Sequence, residues 1–371
     1  MIRAAVLLLT AVAVLAVTAS GQQGSLTFTG QMWGSGAYGD DPLEEFGNSE
    51  ATAGYIPQLS LGTGRHDGLR LEGLIALRAA YLYRLRLSIR RWEMAGAGHV
   101  YRGWMQLRST RWDLRLGRQK IAFGPGQFLR PLAWFDTLDL RDPTGQTQGV
   151  NAVRARFFPN DRLSVWGWGM VQNDSGPGSN RQDFSPGGRM EYLLGDVEVG
   201  LSFHQENFSG QSTSRTRLAF DMRADKIVGL WTEGLIMRET GPQADLGATR
   251  MLMVGVDYTL PIGNGMLVMA EHLQSRVVFA TGGTAARTQA TVVLGALPLG
   301  LFDRLTAVAY FSHDTNFSSY FLMWQRTYDF WSLSTLVFAN PPRSQLGALG
   351  NIFPSVVGVG TSVQLLLVFH H

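Results

Sequence analysis

Cysteine is absent from all 371 residues, which excludes disulfide stapling, thiolate metal ligation and lipid attachment at a processed cysteine. Lysine is nearly absent too: Lys120 and Lys226 stand against thirty arginines. Guanidinium keeps its charge at any biological pH and grips carboxylate, phosphate or sulfate through two hydrogen bonds. Charge of either sign is sparse at 16%, and the balance is only +3. The arginines are scattered along the chain rather than gathered, so no nucleic-acid surface is predicted. Beyond residue 20 no apolar run approaches the ~20 residues that a membrane helix needs. Linkers, low-complexity tracts and composition breaks are missing as well, which argues for one domain.

What is present is an export signal followed by a dyad repeat. Arg3 is a short positive region, residues 4–17 are apolar, and Val17-Thr18-Ala19 resembles a small-residue cleavage site. Residues 1–19 are therefore predicted to be a cleaved signal peptide and 20–371 a single mature domain. From residue 81 the chain reads Tyr-Leu-Tyr-Arg-Leu-Arg-Leu-Ser-Ile-Arg, which puts Tyr83, Leu85 and Leu87 on one side of an extended strand and Arg84, Arg86 and Arg90 on the other. One face suits hydrocarbon and the other suits water. This alternation recurs almost to the C-terminus, and the 44 glycines, ten tryptophans and twenty phenylalanines suit tight turns and interfacial girdles.

The pattern predicts an all-β, antiparallel, up-and-down transmembrane barrel with a polar, water-facing lumen. It has about eighteen strands, with sixteen as the alternative, and lies in a Gram-negative outer membrane. The predicted strands cover 26–34, 54–62, 69–90, 100–108, 112–121, 150–158, 163–172, 189–194, 197–206, 215–223, 227–238, 250–259, 266–279, 288–297, 305–313, 317–325, 330–339 and 357–369. A long polar loop through Asp40, Asp41 and Glu45 is expected after the first. Placing the short connections in the periplasm leaves both termini there. The final strand alternates through Val363, Leu365 and Leu367 to Phe369, and resembles the C-terminal signature of bacterial outer-membrane barrels. His370 and His371 follow where that family usually stops; they are native residues or a tag remnant.

The polar phases carry the candidate pore-lining residues: Arg84 and Arg86, then Arg115, then Arg154 and Arg156, on strands consecutive in sequence. Charges on the lipid face cost ~2–4 kcal/mol at the midplane, so these side chains are expected to point inward. They would form a basic wall that favours anions, or be neutralised by Glu72, Asp113, Glu191, Glu198 and Glu206. A connection as long as 124–145 is uncommon without a role. Its aromatics, Phe128, Trp134 and Phe135, need a surface to pack on. Arg130, Asp136, Asp139, Arg141 and Asp142 need water, and folding into the lumen satisfies both demands. The alternative is a lid sealed by its own salt bridges.

The stretch Leu116-Gly117-Arg118-Gln119-Lys120-Ile121 resembles the Gly-Arg-Gln strand that precedes an inward loop in porin-like barrels, including the alginate-export type, over roughly residues 112–168. The resemblance implies a constriction in which Arg118 and Arg130 face Asp136 and Asp139. It carries over no substrate.

Catalytic and cofactor patterns are weak. His66, His99, His204, His272 and His313 lie on separate elements without metal-ligand spacing, and no metal or cofactor is expected. Ser202 and His204 lack a nucleophile elbow. His204 with Glu206, or His313 with Asp314, is the residual hydrolase candidate. Gly34-Ser-Gly36-Ala-Tyr-Gly39 matches a dinucleotide fingerprint only formally, since it opens no βαβ unit. Asp136, Asp139 and Asp142 lack the alternation of a calcium loop, and pairing with Arg130 and Arg141 is the simpler reading. The sequence thus predicts a non-enzymatic, porin-like channel for small hydrophilic, anionic solutes, with the bilayer and its solutes as partners and a homo-oligomer as an option. The alternative is a scaffold barrel that houses or docks a partner protein in a larger complex.

Overall fold

The computed structural model describes residues 24–42, 46–63, 68–87, 90–136, 147, 149–173, 182–208, 213–241, 244, 246–280, 283, 285–342, 344 and 357–371. Residues 1–19, the predicted signal segment, lie outside them. Among the described residues eighteen strands run in chain order: β1 (Ser25–Gly39), β2 (Phe46–Gly62), β3 (Arg70–Arg86), β4 (Arg91–Arg108), β5 (Trp112–Gln119), β6 (Val150–Asn160), β7 (Leu163–Asn173), β8 (Gln182–Leu194) and β9 (Val197–Phe208). They continue with β10 (Thr213–Asp225), β11 (Gly229–Thr240), β12 (Leu246–Leu260), β13 (Met266–Phe279), β14 (Ala285–Pro298), β15 (Asp303–Ser312), β16 (Phe317–Thr327), β17 (Trp331–Ala339) and β18 (Thr361–His370). Each pairs antiparallel with its sequence neighbours, and β18 also pairs with β1, so the sheet closes and no edge is left. The strand count expected from the dyad repeat is the one observed.

Side-chain phase follows the pleat. On β10, Leu218, Phe220 and Met222 are exposed outward while Arg215, Arg217 and Asp221 point inward. On β6, Val153 and Phe157 face out, opposite Arg154 and Arg156. Such an apolar exterior is stable only against hydrocarbon. Most connections at one end are short turns, such as Gly195-Asp196, and the longest, 120–149 and 340–360, lie at the other. The start of β1 and the end of β18 lie at the short-turn end, which in bacterial barrels faces the periplasm.

Several boundaries differ from expectation: β8 begins at Gln182 rather than residue 189, and the β1–β2 and β3–β4 connections are shorter than predicted. β1 runs on to Gly39 and β2 begins at Phe46, so the long loop through Asp40 and Asp41 shrinks to residues 40–45. Small residues such as Gly34, Gly36, Ala51 and Ala53 hide the dyad there. Gly54 is required by contact, since a Cβ would strike the Trp33 indole and lie 2.6 Å from the Ala79 carbonyl oxygen. The predicted strand 69–90 stops at Arg86, and Arg90 takes a left-handed φ of 51° to start β4 nine residues earlier than expected. The run Ala95-Gly96-Ala97-Gly98 offered no bulky alternation.

The lumen is divided. Around β5–β10 its wall is rich in charge. On the opposite side, Trp33, Ile56, Tyr101, Leu336, Phe338 and Leu366 form one apolar cluster, and Trp231, Met253, Met269, Val292 and Val308 form another. A uniformly polar lumen is therefore not what forms. On β11–β18 many inward positions are also apolar, which a search for hydrophilic phases passes over. Val357 and Val359, expected to open the last strand, are instead buried beyond its end. His370 and His371 extend the closure: His371 N donates to Gly30 O at 3.0 Å, and its ring Nε2 lies 2.9 Å from Tyr55 Oη.

The seam is testable without background thiols. Adjacent cross-strand pairs alternate between hydrogen-bonded and non-hydrogen-bonded geometry. Of the double variants Gly34→Cys/Leu367→Cys and Ser35→Cys/Leu366→Cys, whose members are directly opposed, at least one should crosslink on oxidation and alter gel mobility. No crosslink in either contradicts the closure.

Candidate functional site

The segment after β5 leaves the wall at Gly124, whose φ of +87° suits glycine. A Cβ there would collide with the Glu233 carboxylate, and one on Gly126 would lie 2.8 Å from Glu233 Oε1. The two glycines of Gly124-Pro125-Gly126 thus let a carboxylate of β11 approach the backbone. Gly126 N donates to Glu233 Oε1 at 2.7 Å and Leu132 N to Oε2 at 3.0 Å. Gln127 N donates to Glu271 Oε1 at 2.7 Å, while Phe128 N and Leu129 N donate to Oε2 at 2.9 and 2.7 Å. Trp231 Nε1 completes the Glu271 shell at 3.1 Å. β13, which bears Glu271, stands eight strands from β5 in an eighteen-strand ring. The segment therefore spans the lumen.

Both carboxylates are 1% exposed. A buried, unpartnered carboxylate is strongly unfavourable, and so is a buried amide without an acceptor. Bringing the two together removes both penalties, and hydrogen bonds to a charged group contribute ~1.5–3 kcal/mol each. Apolar packing adds to this. Ile121, Phe123 and Leu132 pack with Ala152, Trp168 and Met170, while Leu129 packs with Trp231 and Met253. Phe123 stacks on Trp168 with ring centroids 5.6 Å apart.

Of the predicted constriction residues, Arg130 and Asp136 meet at 3.0 Å. Arg118 does not join them. By register it takes the opposite phase from Asp113, Arg115 and Gln119, and Lys120 supplies the second cation, 3.5 Å from Asp136. Burial raises the Asp136 carboxyl, but Thr147, Arg130 and Lys120 beside it outweigh that and hold it below the ordinary carboxylate value. Asp139, Arg141 and Asp142 lie outside the described residues. Arg84 and Arg86 sit near the long-loop end over the Phe46 ring, at 4.1 and 5.7 Å, and Arg86 also pairs with Glu93 at 3.2 Å. Glu233 and Glu271 were missed by sequence reasoning. The available signal was a lone carboxylate in an otherwise apolar inward phase: Trp231, Glu233, Leu235 and Met269, Glu271, Leu273.

Below the segment a cavity of ≈ 910 Å³ opens toward the short-turn end; its lining includes Gly124, Pro125, Arg108, Arg156, Arg189 and Glu191. The wall arginines fall into two groups. Arg189 is matched by Asp221 at 2.6 Å and Glu191 at 2.8 Å, Arg217 by Glu206 at 3.0 Å, and Arg154 by Asp113 at 3.5 Å. Arg115 is instead held by Gln106, with Nε 2.8 Å from Oε1, and by the Trp104 ring at 4.1 Å. Arg156 lies 4.0 Å over Trp166 and 5.1 Å from Phe158. Aromatic faces fix a guanidinium without cancelling its charge.

The histidine pairs have other roles. His204 is fully buried, with Nδ1 3.0 Å from Pro186 O, Nε2 3.7 Å from Glu206 Oε1, and its ring against Phe135 and Trp134. Ser202 is taken by Arg189 Nη1 at 2.8 Å. His313 Nε2 lies 2.8 Å from Thr291 Oγ1, while Asp314 accepts from Gln289 N. Among the described residues, no group of three His, Asp or Glu side chains could hold a metal ion.

No protein-family model and no curated protein sequence matches this chain. Solved structures do. OccAB4 of Acinetobacter baumannii matches with a TM-score of 0.59 at 8% identity, over 94% of this chain and 99% of that one. The trimer form of OmpT, an outer membrane protein of Vibrio cholerae, gives 0.52 at 11% identity over 94% and 99%. OmpF of Salmonella typhi, in a complex with daunomycin, gives 0.51 at 12% over 93% and 97%. At such identities the likeness is one of fold. The chain has the closed β-barrel fold of outer-membrane porins.

Glu271→Ala should release the segment, orphaning three backbone amides at about 1–3 kcal/mol each. In planar bilayers this should raise single-channel conductance and noise, with the barrel still migrating as a folded species; Glu271→Gln should give an intermediate effect. Unchanged conductance in Glu271→Ala contradicts the anchoring role.

Proposed function

We propose that the barrel is a narrow diffusion channel for small hydrophilic solutes, with a preference for anions. The observation that carries this reading is the β4–β6 wall. Arg115 and Arg156 are oriented by an amide and by aromatic rings, among the described residues neither lies within ion-pairing distance of a carboxylate, and Arg154 has only Asp113. Fixed positive charge on one wall lowers the barrier to an anion and raises it to a cation. The cavity of ≈ 910 Å³ beneath the crossing segment supplies a vestibule, and Arg156 lines it. The acidic side chains that could offset this field are largely engaged: Glu233 and Glu271 by backbone amides, Asp221 and Glu206 by arginines.

The scaffold alternative, a barrel threaded by a partner chain, has less support. The space such a chain would occupy holds the barrel's own Phe123, Phe128, Leu129 and Leu132, packed on the wall. A rim hydrolase is also disfavoured: His204 is fully buried against Trp134 and Phe135, while at the other pair Asp314 accepts from Gln289 N and His313 Nε2 lies 2.8 Å from Thr291 Oγ1.

The test is reversal potential across an asymmetric salt gradient. Wild type should favour chloride over potassium, and Arg115→Ser with Arg156→Ser should move the potential toward cation preference. Arg326→Ser, whose residue pairs with Asp303 at 3.4 Å, should move it far less. A potential unmoved by the double variant contradicts the role of this wall.

A further inference from the structure

The outward face carries a charge row that the channel does not use. Arg250, Arg276 and Arg287 are directly opposed in register on β12, β13 and β14. Arg238 on β11 stands one diagonal step away, since Ile236 is the partner of Arg250. All four are exposed. Like charges facing each other across strands, with Cβ atoms ~4.5–5.5 Å apart, destabilise a sheet unless something neutralises them. Among the described residues none of the four forms an ion pair with a carboxylate. Elsewhere the barrel does supply such partners, as for Arg189 and Arg215.

Height explains what could serve here. On β12 the outward phase climbs from the short-turn end through Tyr258, Val256, Val254 and Leu252 before reaching Arg250. Each of the four arginines lies nine to eleven residues above the short-turn end of its strand. A tilted strand needs ~9–11 residues to cross the hydrocarbon, so the row stands where the outer leaflet's headgroups begin. Arg250, Gln274, Arg276 and Arg287 also line a shallow recess of ≈ 450 Å³.

We propose that this recess binds the phosphate groups of a phosphorylated glycolipid of the outer leaflet, whose acyl chains lie on the apolar strip below. Guanidinium forks match phosphate oxygens bidentately, and a ligand with two phosphates spans adjacent arginines. The bound lipid neutralises the opposed charges and fixes the depth of β11–β14 in the membrane.

The experiment measures lipid retention by native mass spectrometry on the detergent-purified full barrel. Bis-phosphorylated lipid A should bind wild type about tenfold more tightly than its dephosphorylated form, as expected for charge-assisted bidentate contacts. Arg250→Ser/Arg276→Ser/Arg287→Ser should abolish that difference while keeping heat-modifiable migration. If the triple variant does not fold, Arg250→Gln and Arg287→Gln, made singly, should each weaken retention. Equal retention of the two lipids by wild type, or no weakening in the folded variants, overturns the proposal. Displacement of the lipid by millimolar inorganic phosphate identifies a free-anion site and overturns the lipid assignment.

Discussion

Backbone amides that leave a β-sheet need acceptors, and inside a barrel few acceptors are available. Where residues 126–132 span the lumen, five amides find theirs in the four carboxylate oxygens of Glu233 and Glu271. Much of the interior follows from this arrangement. With the segment held against β11 and β13, Leu129 and Phe128 are pressed into an apolar pocket, which is why inward positions there are Met253, Met269 and Val292 rather than charged residues. On the near side Phe123 and Leu132 lie over Trp168 and Met170. The open volume is left below the segment, against the β4–β10 wall.

That wall uses two ways of holding a guanidinium, with different electrostatic results. Arg189, Arg215 and Arg217 are locked by carboxylates and contribute little net field. Arg115 and Arg156 are locked by neutral groups and keep theirs. A channel's preference depends on the uncompensated charges, so counting arginines overstates it. Of the predicted pore-lining set, Arg154 is mostly matched by Asp113, and Arg130 is spent on Asp136 within the crossing segment.

The fold was legible where outward positions are large and inward ones charged. β6 shows Val153, Ala155 and Phe157 against Arg154 and Arg156, and β10 shows Leu218, Phe220 and Met222 against Arg215, Arg217 and Asp221. It was illegible where both faces are small, as at Ala95-Gly96-Ala97-Gly98 in β4, because a pleat without bulk carries no period. The candidate site was half legible. The length and aromatic content of the crossing segment pointed inward, yet its anchors were hidden. A carboxylate that binds backbone amides from a segment more than 100 residues away leaves no pairing of residue types to find. Arg118 was misplaced for a simpler reason: it falls on the phase opposite Gln119, which a motif read as a unit does not reveal.

Two buried carboxylates fix the crossing segment by its backbone, and amide hydrogen exchange in the reconstituted barrel reads that attachment out. Gly126, Gln127, Phe128, Leu129 and Leu132 should exchange as slowly as the amides of the wall strands β11 and β13. Exchange at the rate of an open, solvated loop, with the wall still protected, would contradict it.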